Sequence, residues 1–133
     1  MRNIVLILLI FTSFQLFSQV KEEINICDTS AVFIIVEEMP EFPGGQGELH
    51  KFIAQNIQYP PAARENGIQG KIYVRFVVTC DGSIERISIV RKVDDLLEAE
   101  SIRVIKSMPK WKPGKQRGQP VNVWYTAPII FVL

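Results

Sequence analysis

The chain has a single histidine, only two cysteines and, beyond Glu100, no carboxylate side chain. His50 has no serine or cysteine partner in a recognisable motif, so no nucleophile–base pair is present and a surface position is its simple reading. Cys27 and Cys80 do not have the spacing of a zinc site. Gly44, Gly45 and Gly47 lack the lysine that a phosphate-binding loop places behind its glycines. Asp94 and Asp95 are adjacent, which suits a helix cap better than an acid/base pair. These shortages argue against an enzyme, a cofactor and a metal centre alike. A formal net charge of only +1 argues against a nucleic-acid binder, whose domain is usually strongly basic.

What is present fits one globular domain. The 133 residues are 47% apolar and 22% charged, enough to bury a core, and no repeat or low-complexity tract interrupts them. Charge is unevenly spread. Glu22, Glu23, Asp28, Glu37, Glu38, Glu41 and Glu48 make the early segment acidic, whereas Arg103, Lys106, Lys110, Lys112, Lys115 and Arg117 make the late one basic. The loop carrying Lys110, Lys112, Lys115 and Arg117 reads either as a solvated basic loop or as a steering surface for an acidic partner segment.

The first residues read as an export leader. Arg2 supplies a positive start, and the apolar run from Ile4 reaches Phe17, short of the ~20 residues a membrane span needs. Cleavage after Ser18 is the favoured reading; Leu16, where a small residue is preferred, leaves an uncleaved inner-membrane anchor as the alternative. Residues 1–18 are therefore expected to be a signal peptide, residues 19–37 a linker with a short strand, and residues 38–133 the folded domain, exported to the periplasm. In that oxidising compartment a Cys27–Cys80 bridge is one option for the two thiols.

Within the domain, Ala31–Val36 is a short β-prone run ended by the prolines and glycines of Met39–Gly45. Leu49, Phe52, Ile53 and Ile57 recur at helical spacing, and Tyr59-Pro60-Pro61 stops that helix before a short helical turn. Ile72, Val74, Phe76 and Val78 alternate with polar neighbours into the turn Cys80-Asp81-Gly82-Ser83, and Ile84–Arg91 returns, so a β-hairpin is predicted. Asp94 or Asp95 caps a helix to Met108, stopped by Pro109. Lys110–Pro120 is expected to be a loop, with Trp111 anchoring it in the core; stacking on a nucleic-acid base is the weaker alternative for that indole.

Val121–Leu133 alternates as a long final strand broken by Pro128, and proline within a sheet belongs at an edge or a bulge. Without a bulge, the missing donor of Pro128 lies on the same side as the main-chain groups of Asn122, Trp124 and Thr126, which would be the unpaired edge. The fold expected is α+β: a two-layer sandwich in which a three-stranded antiparallel sheet, hairpin plus C-terminal edge strand, is packed by helices on one face.

Several short motifs fall in a specific order. Gln58-Tyr59-Pro60, Ala63, Gly67, Gly70–Val74, the Asp81-Gly82 turn, Pro109–Gly114 and the strand from Val121 together resemble the C-terminal domain of TonB, the periplasmic end of a bacterial energy transducer. The resemblance covers about Glu38 to Leu133, and Met39–Gly45 looks like the version found in Bacteroidota. It implies a domain that binds the N-terminal box of an outer-membrane receptor by strand addition and helps draw the receptor's plug aside. It also implies a receiving edge at Val121, Asn122, Val123, Trp124, Tyr125, Thr126 and Ala127, with a second receptor contact at Asn56, Ile57, Gln58 and Tyr59. TonB proper carries a Ser and a His in a membrane helix that engages the ExbB/ExbD motor, followed by a long Pro-rich spacer. This leader has no histidine, and the ~20 residues after it span at most roughly 70 Å, so ExbB/ExbD engagement is not expected of this chain alone. A periplasmic scaffold, or a domain that pairs with itself through the same edge, is the competing function.

Overall fold

The computed structural model describes Cys27 and residues 31–133; the leader expected at 1–18, and linker residues 19–26 and 28–30, lie outside the described residues. In chain order the elements are β1 (Val32–Phe33), α1 (Gln46–Asn56), α2 (Pro61–Glu65), β2 (Gly70–Val78), β3 (Ile84–Ile89), α3 (Asp95–Lys106), β4 (Gly114–Gln116) and β5 (Gln119–Phe131). The alternation in β2 does what a period of two requires: Ile72, Val74, Phe76 and Val78 are buried on one face. They meet Ala127, Ile129 and Phe131 of β5, and above them pack Leu49 and Ile53 of α1 and Leu97, Val104 and Ile105 of α3. Burying each of the larger side chains, Val, Leu, Ile or Phe, stabilises the fold by about 1.5–3 kcal/mol.

The fold is α+β, with helices on one face of the sheet, but the sheet has five strands rather than three. Its path is β1-β5-β2-β3, with β4 on β5. β2 pairs antiparallel with both β3 and β5, whereas β1 pairs with β5 in parallel. Two expectations fell short here. Of the β-prone run Ala31–Val36, only Val32 and Phe33 form strand; Ile34 and Ile35 bend away and are exposed. The supposed basic loop contains β4, which folds back on Gln119–Val121 around Arg117 and Gly118, both at positive φ (51° and 74°). Positive φ at both central residues is the hairpin-turn geometry that Asn-Gly announces and Arg-Gly does not. The long strand accordingly begins at Gln119 and ends at Phe131, and β3 ends at Ile89.

Of the two adjacent acids, Asp94 is the cap of α3: its carboxylate accepts from the amides of Leu96 (3.0 Å) and Leu97 (3.1 Å). Ser101, on the buried stripe, satisfies its hydroxyl on the Leu97 carbonyl at 2.7 Å.

The β2–β3 turn is a fixed structure. The Thr79 hydroxyl donates to the Asp81 carboxylate, and the Ser83 amide donates to the same oxygen at 3.2 Å; these bonds, the Thr79 one foremost, lower the Asp81 pKa to about 2. Gly82 (φ +85°) then accepts from the Trp111 amide at 2.9 Å. A Cβ at Gly82 would stand 2.1 Å from the Trp111 carbonyl oxygen. Gly82→Ala therefore combines a left-handed backbone with a main-chain collision. Urea unfolding should show it less stable by more than about 2 kcal/mol, with the midpoint lowered and the slope unchanged.

Cys80, at the start of that turn, is joined to Cys27 by a disulfide with a Cα–Cα distance of 5.6 Å. The bridge closes a sequence separation of 53 residues that includes β1, α1, α2 and β2. Replacing both cysteines by serine should lower unfolding stability by about 2–4 kcal/mol, measured by the same titration, and added reductant should then have no further effect.

Candidate protein-binding edge

β5 sits between β2 and β1, so it has two sides to account for. On one side it pairs with β2 in an unbroken register from Gly70↔Phe131 to Val78↔Val123. That register sets Tyr73 opposite Pro128. The Tyr73 carbonyl accepts from the Val90 amide at 3.0 Å, beside β3. Main-chain groups of one strand residue point to one side, so Tyr73 faces β3 and Tyr73–Pro128 is a non-hydrogen-bonded pair. The donorless nitrogen of Pro128 thus faces away from β2, as do the groups of Trp124, Thr126 and Ile130.

On that far side the only pairing among the described residues is with β1, Val32↔Asn122 and Phe33↔Val123. The expected edge therefore needs correcting. Val121 is paired with Gly114 of β4, and Asn122 and Val123 with β1; the open run begins at Trp124, keeps Tyr125, Thr126 and Ala127, and continues past Pro128 to Ile130. Val36, buried against Val121 and Val123, closes the strap that β1 begins. Sequence offered no partner for Ala31–Val36, which is why the covered end was misplaced.

The side chains of the open run are ordered on both faces. Outward, the Arg75 guanidinium lies 3.9 Å from the centre of the Trp124 ring, a cation–π contact across β2 and β5. Inward, Tyr125 packs on Trp111 (ring centroids 4.9 Å apart) and Phe76 (5.7 Å). Trp111 is 3% exposed and also meets Phe42 edge-on at 5.7 Å, so it is the core anchor expected of it. A firm aromatic floor lies under the edge.

The segment Asn56–Tyr59 is held from α3. The Gln58 amide donates to Glu100 Oε1 at 3.2 Å, and Arg103, bidentate to Glu100, donates to the Asn56 carbonyl at 2.8 Å. Tyr59 donates its hydroxyl to the Ile68 carbonyl and packs edge-on against Phe131 at 5.6 Å. Ile57 is half-buried, and the Gln58 side chain is exposed. Gln58 and Tyr59 border a cleft of about 460 Å³ with Leu96, Glu100 and Arg103.

The basic residues lie at the other end of the sheet. The main chain of Lys112 exchanges hydrogen bonds with Glu41 (2.8 and 3.0 Å), and that of Lys115 with Glu38 (2.8 and 3.1 Å). Lys110 Nζ is 3.9 Å from Asp81 Oδ2. Arg117 occupies the hairpin turn. Acidic and basic segments that are far apart in sequence thus run side by side, and their fields partly offset. His50 is exposed, on the flank of α1. Sequence reading missed Ile130, 58% exposed at the end of the open run, although it shares the alternation that selected Trp124 and Thr126.

These features define an α+β domain with one side of β5 open from Trp124 to Ile130 among the described residues. The family model "Gram-negative bacterial TonB protein C-terminal" matches residues 55–133, and the chain belongs to that family. Among solved structures it is similar to two NMR solution structures of the Helicobacter pylori TonB C-terminal domain. To the shorter segment it is 26% identical, covering 65% of this chain and 90% of that one, with a TM-score of 0.51. To the longer it is 27% identical, covering 68% and 86%, again with a TM-score of 0.51. No curated protein matches.

Glu100→Ala removes the acceptor of the Gln58 amide and the partner of Arg103. Hydrogen exchange should quicken at Gln58 by about fivefold or more while Val74, in the centre of β2, is unchanged.

Proposed function

We propose that this chain is a receptor-binding module of the TonB type, taking an extended N-terminal box segment of an outer-membrane receptor as an added strand on β5, in energy-coupled transport. The observation that carries the reading is the run Trp124–Ile130, whose side away from β2 has no strand partner among the described residues, with the donorless Pro128 turned to that side. Strand addition needs a row of free main-chain groups on an ordered strand, and side-chain selectivity from what flanks it. The fixed segment Asn56–Tyr59 would then touch the receptor's plug. The reading includes export by residues 1–18 and a periplasmic domain that takes in β1 and Val36 ahead of residue 38, which leaves the tether to the residues before Val32.

Self-pairing through the same run is the competing reading, since one free edge can meet another. A receptor-box peptide titrated into the 15N-labelled protein distinguishes them. The expected result is saturable amide shifts confined to Trp124–Ile130 and neighbours in Asn56–Tyr59. Trp124→Pro deletes a donor on the open side, and should weaken the peptide by about tenfold or more while the fold persists. Unshifted edge amides, or undiminished binding by folded Trp124→Pro, would remove the receptor reading.

A further inference from the structure

Two depressions lie on the helix side of the open run. The first, about 270 Å³, is lined by Met39, Pro40, Glu41, Phe42, Gln46, Leu49 and Tyr125. The second, about 260 Å³, is lined by His50, Ile53, Ala54, Ile57, Pro128 and Ile130. The order of these linings shows that α1 runs beside β5 in the same direction, leaving a trough between helix and edge. Between the depressions stands the α1 wall at Leu49 and His50, which belong to one each.

The trough opens beside main-chain groups without a strand partner among the described residues, so an extended chain is the occupant that uses trough and edge together. A compact apolar ligand would leave those groups unanswered. A strand paired with β5 turns alternate side chains toward the helix, at ~3.3 Å per residue. Its residue opposite Tyr125 points into the first depression. Its residue opposite Ile129, four positions away and about 13 Å along, points into the second. The inward residue between them, opposite Ala127, meets the α1 wall. Val32 and Phe33, already on Asn122 and Val123, stop the added strand from sliding toward the start of β5.

We propose, building on the strand-addition reading, that the partner segment is selected by two apolar side chains at positions i and i+4, with a small residue at i+2. The second depression is predominantly apolar, through Ile53, Ala54 and Ile57, and the first sets Met39, Phe42 and Leu49 beside the polar Glu41 and Gln46. Several of these are accessible in the free chain, Met39 being 46% exposed and Ala54 exposed on the helix surface. A side chain seated there loses water on several sides, whereas one at i+2 faces the stretch of helix between the two depressions, where the linings leave no room of their own. Pairing of main chains supplies affinity to any extended peptide; spacing supplies the choice.

The test uses two peptides of identical composition, Thr-Leu-Thr-Ala-Thr-Leu-Thr and Thr-Leu-Thr-Leu-Thr-Ala-Thr, acetylated and amidated, titrated into the full chain. The first should bind at least about tenfold more tightly, shifting the Trp124–Ile130 amides. Ala54→Trp fills the second depression from an exposed helix position that does not threaten folding. It should reduce the first peptide to the affinity of the second, with edge amides still shifting. Equal affinities with shifted edge amides would overturn the spacing rule and leave strand addition intact. Binding without edge shifts, or no binding by either peptide, would overturn both. A chain that sediments as a dimer, and becomes monomeric on Ala54→Trp, would show a second copy as the occupant and also overturn the proposal.

Discussion

Pro128 has no N–H to give, and in a strand that must pair on at least one side this restricts how β5 can be used. The register with β2 places Tyr73 opposite it, and Tyr73 is committed to β3 through the Val90 amide. No ladder bond is lost, because the pair at that position makes none. The same parity puts Val121, Val123, Ala127, Ile129 and Phe131 on the buried face, so main-chain and side-chain demands are met by one alignment. A shift by one residue would turn Pro128 toward β2 and bring Ile130 inward with Thr126. The core, the free edge and the trough beside it all follow from this alignment.

The parts legible in sequence were those with a strong period or a hard stop. The hairpin β2–β3, the helix from Asp94 to Pro109 and the edge parity of Pro128 came from two-residue alternation, a cap and a missing donor. β1 was half legible. Its β-prone run is longer than the two residues that pair, because pairing requires a neighbour and no local pattern says where β5 will pass. β4 was missed for a different reason: Arg117 adopts positive φ without being glycine or asparagine, so the turn carries no compositional mark. The trough is a tertiary feature, made from α1, Met39–Phe42 and β5. Only the amphipathic stripe of α1 was visible beforehand, and the trough uses the margin of that stripe.

Charge shows the same limit. Sequence separates an acidic early segment from a basic late one, which suggests a polarised molecule. Folding brings Glu38 against Lys115 and Glu41 against Lys112 by main-chain pairing, so the two ends are interleaved. An exposed cation beside an exposed anion contributes little stability and cancels much of its field beyond a Debye length. The segment that carries these acids is the one that makes the β1 strap and lines the first depression, so its placement is set by packing of Val36 and Phe42, with charge secondary.

An open strand edge invites unwanted pairing, and this one is held open without being left unguarded. β1 covers Asn122 and Val123, and the disulfide from Cys27 to Cys80 ties the approach to β1 to the end of β2. Pro128 interrupts the row of donors, so any strand laid against the edge, a second copy's or a partner's, goes without one ladder bond at that point. Outward, the Trp124 ring is engaged by Arg75, and a charge over the edge opposes close stacking of a second sheet. These devices shorten the usable edge to a few residues. A long β-rich surface would find that run too short to gain much from it, whereas a brief extended segment loses nothing by ending there. In the proposed binding mode, selection by length would thus precede selection by side chain, and both would be built from the same strand.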